Sequence, residues 1–144
     1  MSLIDILVYL MLLVLMTLSA LFSGSEIAFA ISNKSRLSKA AESGKKSAQI
    51  ALYIDKNYTR SISTILIGND LVDIAIPSVI TVLFIGYLGN ENGPIAAAAV
   101  STVVVLIFGE ILPKILANEY ADKLVYYVSY PIRFFMFLFA PVVS

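Results

Sequence analysis

The chain has 144 residues, ten basic and ten acidic side chains, no histidine and no cysteine. That excludes haem ligation, disulfides, thiol nucleophiles, Ser-His-Asp triads and zinc sites from what this chain can build alone, and any metal must be held by oxygen. With 59% hydrophobic and 14% charged residues and a mean hydropathy of +0.89, it is far more apolar than a soluble core requires, while zero net charge and no dense basic tract leave nucleic acid no electrostatic footprint.

A bilayer core takes about 20 largely apolar helical residues, and three segments qualify: 3–30, 61–88 and 94–117. The first apolar stretch, 3–22, lacks a basic leader and is as long as a full span, so it reads as retained rather than as a signal peptide. Residues 32–60 hold seven of the ten basic side chains, Lys34, Arg36, Lys39, Lys45, Lys46, Lys56 and Arg60. The loop at 86–93 has none. The positive-inside rule therefore puts the basic loop in the cytoplasm, the N-terminus outside and the C-terminus in the cytoplasm of a multi-pass plasma-membrane protein. The basic loop is long enough for one or two short helices, with Ser35 or Ser38 as a cap and Gly44 as the break. Its plainest role is a topogenic anchor.

Beyond the third span, 118–123 is polar and 124–143 is apolar and aromatic again, with Pro131 and Arg133 expected to cut it into pieces too short to span. An amphipathic juxtamembrane segment at 118–143, lying on the inner leaflet, fits this pattern; a fourth span is the alternative. The expected architecture is thus an all-α membrane protein forming a single transmembrane domain, residues 1–144.

Acids inside a span cost about 2.5–3.5 kcal/mol each, so Glu26, Asp70, Asp73 and Glu110 all ask for a reason. Counted inward from the flanking basic residues at about 1.5 Å per residue, Glu26 and Asn69 both lie about 12–14 Å deep, with Glu110 somewhat shallower. Asn69 and Asp73, four apart, share a helix face, whereas Asp70 is turned away by about 100°. Ser23, Gly24, Ser25 and Glu26 add two hydroxyls, a glycine and an acid; Ser19, Ser23 and Gly24 also read as small residues permitting close helix approach. Proline removes the hydrogen bond to the carbonyl four residues earlier, so Pro77 frees that of Asp73 and Pro113 that of Gly109. Carboxylate, amide, hydroxyl and freed carbonyl oxygens are the ligands of a hard cation such as Mg²⁺, Ca²⁺ or Na⁺. For Glu110 the competing explanation is an ion pair with Lys114 one turn on, and for Glu26 a water-facing helix end.

The stretches LFSGSE (21–26), LIGNDLVD (66–73) and GEILPK (109–114) resemble, in order and spacing, the transmembrane domain of the CorC/CNNM family of magnesium transporters, with the likeness running from about residue 21 to 142. The resemblance implies a homodimer in the lipid bilayer, three spans per subunit, paired short helices in the basic loop and a juxtamembrane helix. It implies Mg²⁺ export coupled to inward Na⁺ through a cavity open to the cytoplasm. Position by position it carries metal-ligand roles to Ser23 or Ser25, Asn69, and Gly109 with Glu110; where the family usually has a second asparagine this chain has Asp73. It further implies cytosolic CBS domains in a longer parent chain, which this sequence lacks.

Two other functions fit the same residues. One is a membrane anchor and dimerisation module whose polar layer is interhelical glue for cytosolic domains; the other is a carrier of another cation. An enzyme fits least, because an aspartyl intramembrane protease needs acids on facing helices and Asp70 and Asp73 share one turn.

Overall fold

The computed structural model describes the backbone of residues 3–143 and the side chains of 3–141; Met1, Ser2 and Ser144, the ends of the expected domain, lie outside the described residues. Every element in it is helical. Helix α1 (Leu3–Ile31) leads through two short helices, α2 (Lys34–Glu42) and α3 (Lys46–Lys56), into the long α4 (Tyr58–Val104). A π-helical segment, Val105–Ile111, joins α4 to α5 (Leu112–Leu138), and α6 (Ala140–Val143) is a single turn. Two continuous helical stretches are long and apolar enough to cross a membrane, Leu3–Ile31 and Tyr58–Leu138.

The second stretch, 81 residues long, is not straight. At Gly89 the backbone leaves the helix (φ 90°, ψ 176°), a conformation open to glycine and poor for other residues. The chain doubles back there so tightly that a Cβ on Gly93 would sit 2.7 Å from the Ile85 Cα, though eight residues of straight helix would separate them by about 12 Å. The expected eight-residue loop at 86–93 is therefore a one-residue corner, with Asn90, Glu91 and Asn92 already helical. Pro94 lies five residues into the returning arm, where its ring removes the N–H that would reach the Asn90 carbonyl. Across the top, the Tyr9 and Tyr87 hydroxyls lie 2.7 Å apart and tie α1 to the first arm of α4.

At its other end α1 passes into α2 through a cap. Asn33, rather than Ser35 or Ser38, caps α2: its side chain accepts from the Arg36 N–H at 3.2 Å, while both serines are already inside the helix. Gly44, at φ 97°, makes the break between α2 and α3 as its sequence position implied. Lys34 pairs with Asp55 at 2.8 Å, and Asp122 of α5 accepts from the Asn33 N–H at 2.7 Å with Arg36 at 3.6 Å. The two short helices are thereby tied to one another and to the tail.

Pro131 and Arg133 do not cut the tail. Helix α5 bends at Tyr120 (φ −116°, ψ 26°) and then runs unbroken to Leu138. Val125, Val128, Ile132 and Met136 form its buried stripe, with Ile132 and Met136 fully covered. Burying two such side chains contributes about 3–6 kcal/mol, enough to offset a mid-helix proline at about 3 kcal/mol. That stripe belongs to one core with Ala48, Ala51 and Ile54 of α3, Phe22 and Phe29 of α1, and Ile65, Val72 and Ile76 of α4. Phe22 meets Phe135 edge-on at 5.0 Å between ring centres. By contrast Leu3, Ile4, Leu7, Leu10 and Leu13 of α1, Ile74 and Val82 of α4, and Ile95 and Val103 of its returning arm are all exposed. So extensive an uncovered aliphatic surface matches a lipid environment and not water.

Candidate functional site

Three helical segments meet below the middle of the fold, and each brings oxygen. In α1, Ser19 and Ser23 lie one turn apart on a buried face. The Ser19 hydroxyl donates to Asp73 Oδ1 at 3.3 Å and the Ser23 hydroxyl to Asn69 Oδ1 at 3.3 Å. The pairing is antiparallel, 19 opposite 73 and 23 opposite 69, so the four-residue step on α1 matches the four-residue step on α4. The Asn69 amide then donates to Asp73 Oδ2 at 3.3 Å and to Glu110 Oε1 at 3.4 Å. One side-chain amide thus bridges two carboxylates.

Glu110 comes from the π-helical segment, where the Leu112 N–H bonds to the Ile107 carbonyl, five residues back. A single π-turn inside an α-helix re-aims side chains and widens the backbone, which is why such turns gather at functional positions. It also means that the four-residue arithmetic placing Pro113's missing hydrogen bond at Gly109 gives way here to a five-residue register. Gly109 itself is buried, and a Cβ on it would lie 2.5 Å from the Ser19 hydroxyl. The glycine is what lets the π segment press against α1 at the level of the cluster.

Above the carboxylates a cleft of about 310 Å³ is lined by Asp73, Pro77, Ser101, Thr102 and Glu110 together with Val105 and Leu106. Lys114 Nζ stands 4.0 Å from Glu110 Oε2, so one carboxylate oxygen faces the lysine and the other faces Asn69. The ion pair and the polar cluster therefore coexist on one side chain.

The remaining sequence candidates fall elsewhere. Ser25 is fully buried and its hydroxyl has no hydrogen-bond partner, a burden of about 1–3 kcal/mol, but it is no part of the cluster. By the antiparallel register Glu26 levels with Leu66, about one turn from Asn69, and it is half-buried. Asp70 is exposed on the outer surface of α4. Asp73 and Glu110 are consequently the two acids of the site, and no group of three potential metal-binding His, Cys, Asp or Glu side chains forms among the described residues. Ser19, Ser101 and Thr102 are additions. Ser19 had a sequence signal in its spacing of four from Ser23, the same step as Asn69 to Asp73. Ser101 and Thr102 had none, because only the corner at Gly89 brings their arm beside Asp73.

Replacing Gly109 by alanine tests the close approach. The Ser19 hydroxyl can rotate away from the new methyl, so loss of stability should stay near 1 kcal/mol, but its bond to Asp73 is then lost. Under the cation-binding reading raised by the sequence, the ion-dependent rise in melting temperature should then weaken as for an affinity lowered about 10- to 100-fold, as when a supporting hydrogen bond is removed from a metal ligand. An unchanged ion response would show that Ser19 does not orient Asp73.

A helical membrane domain with a partly buried cluster of hydroxyl, amide and carboxylate groups is the class these features define. The cyclin M (CNNM) transmembrane N-terminal domain matches residues 10–144. The chain is 36% identical over 126 residues to the UPF0053 inner membrane protein YfjD of Escherichia coli, covering 88% of this chain and 29% of that protein. It is 34% identical over 135 residues to a UPF0053 protein of Haemophilus influenzae, covering 94% and 32%. A chloroplastic DUF21 domain-containing protein of Arabidopsis thaliana is 32% identical over 133 residues, covering 92% and 20%. The chain belongs to the CorC/CNNM transmembrane-domain family, and it spans less than a third of the length of these relatives.

Proposed function

We propose that this domain carries Mg²⁺ across the plasma membrane as a three-span subunit of a homodimer, exporting it in exchange for Na⁺. The observation that carries this reading is the convergence of Ser23, Asn69, Asp73 and Glu110, from three separate helical segments, in one hydrogen-bonded cluster whose two acids, Asp73 and Glu110, line a cleft. The corner at Gly89 supports reading the 81-residue stretch as two crossings, three with α1, and the positive-inside rule supports a cytoplasmic side for the basic α2 and α3 and for the C-terminus. In a longer parent chain, cytosolic CBS domains would follow.

Mg²⁺ demands near-octahedral oxygen coordination at about 2.1 Å and gives up water reluctantly. Asp73 and Glu110 offset its charge, and Ser23 and a backbone carbonyl of the Gly109 turn add neutral oxygens. Asn69 has to change partners for this. Its amide nitrogen now lies between the carboxylates, and an arriving cation requires the Oδ1 there instead, breaking the bond from Ser23. Ion entry and rearrangement of the cluster are thus one event, a natural basis for alternating access. The long 3.3–3.4 Å bonds are weak enough to exchange readily.

Titrating the purified protein with Mg²⁺, Ca²⁺ and Na⁺ tests this. At 100 times Kd, Mg²⁺ should stabilise by about 2.7 kcal/mol and raise the melting temperature by about 10 °C, more than Ca²⁺ does. One observation favours a second reading, an anchor and dimerisation module: Asn69 satisfies both carboxylates internally, as interhelical glue would. Glue needs no cation, so a melting temperature indifferent to all three ions would select it.

A further inference from the structure

A pocket of about 500 Å³ is lined by Lys45, Ser47, Lys123, Tyr126, Tyr127 and Tyr130. It brings together the start of α3 and the tail of α5. Lys45 Nζ sits 3.9 Å above the Tyr126 ring, and no acidic side chain lines the space. Among the described residues neither Lys45, Lys46 nor Lys123 forms an ion pair, and Asp122, next in sequence to Lys123, is taken up by Asn33 and Arg36. Helix α3 starts here at Lys46 with no side chain capping its first turn, so its backbone N–H groups and the positive end of its dipole add to the lysines. From the pocket an exposed aromatic stripe, Tyr127, Tyr130, Phe134 and Phe137, continues along α5 at helical spacing. Positive charge, hydroxyls and N–H donors at one end and an aromatic ramp at the other match one kind of ligand, a molecule with an anionic phosphate and a hydrocarbon tail.

We propose that this pocket binds the phosphate of an anionic phospholipid, with Lys45 and Lys123 at the headgroup, the exposed Lys46 next to them at the start of α3 outside the pocket lining, and the acyl chains along Phe134 and Phe137. The site is separate from the Asn69 cluster and rests on the membrane placement of the tail in the reading above. Its occupancy would pin α3 to α5, fixing the basic helices against the leaflet.

The chain has no tryptophan, so a single Tyr127→Trp substitution supplies a clean fluorescent reporter at the pocket, and Phe137→Trp a second one on the stripe. Each variant is reconstituted into phosphatidylcholine vesicles in which either the phosphatidylcholine or a minor fraction of phosphatidylglycerol carries brominated chains. At Tyr127→Trp, brominated phosphatidylglycerol should quench as if enriched about fivefold or more over its bulk fraction, and adding Lys45→Gln, Lys46→Gln and Lys123→Gln should remove the enrichment. Quenching that follows bulk composition, or that survives the three glutamines, overturns the proposal. Relief of quenching by millimolar inorganic phosphate would also overturn it, making this a site for free phosphate. Absence of quenching by either lipid at both reporters would instead refute the membrane placement of the tail. Quenching at Phe137→Trp without enrichment at Tyr127→Trp would leave that placement standing and sink the lipid site alone.

Discussion

Glu110→Ala should abolish Mg²⁺ efflux from loaded vesicles, lowering it about 100-fold or more, while the protein stays folded. Loss of a supporting hydrogen bond at a metal site already costs about 10- to 100-fold, and Glu110 supplies a carboxylate itself. Stability should change by less than about 1 kcal/mol. The Asn69 amide keeps Asp73 as an acceptor at 3.3 Å, and Lys114, only 4.0 Å from the carboxylate and partly exposed, loses a weak partner. Removing one of two acids beside a single amide even relieves repulsion between them. Glu110→Gln separates charge from shape: it retains an oxygen toward the cleft, and its flux should also collapse if neutralising the cation is the carboxylate's contribution. Wild-type efflux by Glu110→Ala would end the assignment. A badly destabilised variant with no ion response in the parent would point to interhelical glue.

Gly68→Ala should overpack the core and destabilise the α1–α4 interface. A Cβ at Gly68 would lie 2.5 Å from Phe22 Cζ and 2.8 Å from both neighbouring ring carbons, so the ring sits end-on against the bare backbone of α4. Phe22 cannot swing aside: it is 1% exposed and held edge-on by Phe135 at 5.0 Å. Overpacking of this kind costs about 1–3 kcal/mol, and Gly68→Leu should exceed that range. The damage should reach the site as well, because Gly68 and Phe22 immediately precede Asn69 and Ser23, which form the pair bonded across the same interface. Phe22→Leu shortens the side chain and should recover part of the loss, so a double-mutant cycle by unfolding in detergent should show coupling of about 1 kcal/mol or more in the favourable direction. Additive effects would mean that the two helices separate rather than clash.

Residue types and spacing made much of the site legible. Asn69 and Asp73 had to share a face whatever surrounded them, because a four-residue step is nearly a full helical turn, and Asp70 had to point elsewhere. Costly acids in apolar runs likewise marked Asp73 and Glu110 before any contact was known. Depth counting was coarser. It levelled Glu26 with Asn69, whereas the register between α1 and α4 sets Ser23 there, a difference of about one turn. Local signals also failed where packing overrode them: Pro131 reads as a helix breaker, yet the buried Ile132 and Met136 hold α5 together through it.

From the sequence alone follow the membrane class, the absence of histidine and cysteine ligands, the basic loop with its break at Gly44, and the faces on which each polar side chain stands. These depend on composition and on the fixed geometry of one helix. Tertiary structure alone decided that Gly89 turns the chain in one residue, that the stretch around Gly109 is a π-turn pressed on Ser19, and that Asn69 lies between Asp73 and Glu110. Those outcomes depend on how closely helices approach and in which register. Approach and register are set by pairs such as Gly68 with Phe22 and Gly109 with Ser19, whose members are distant in the chain and become neighbours only on folding.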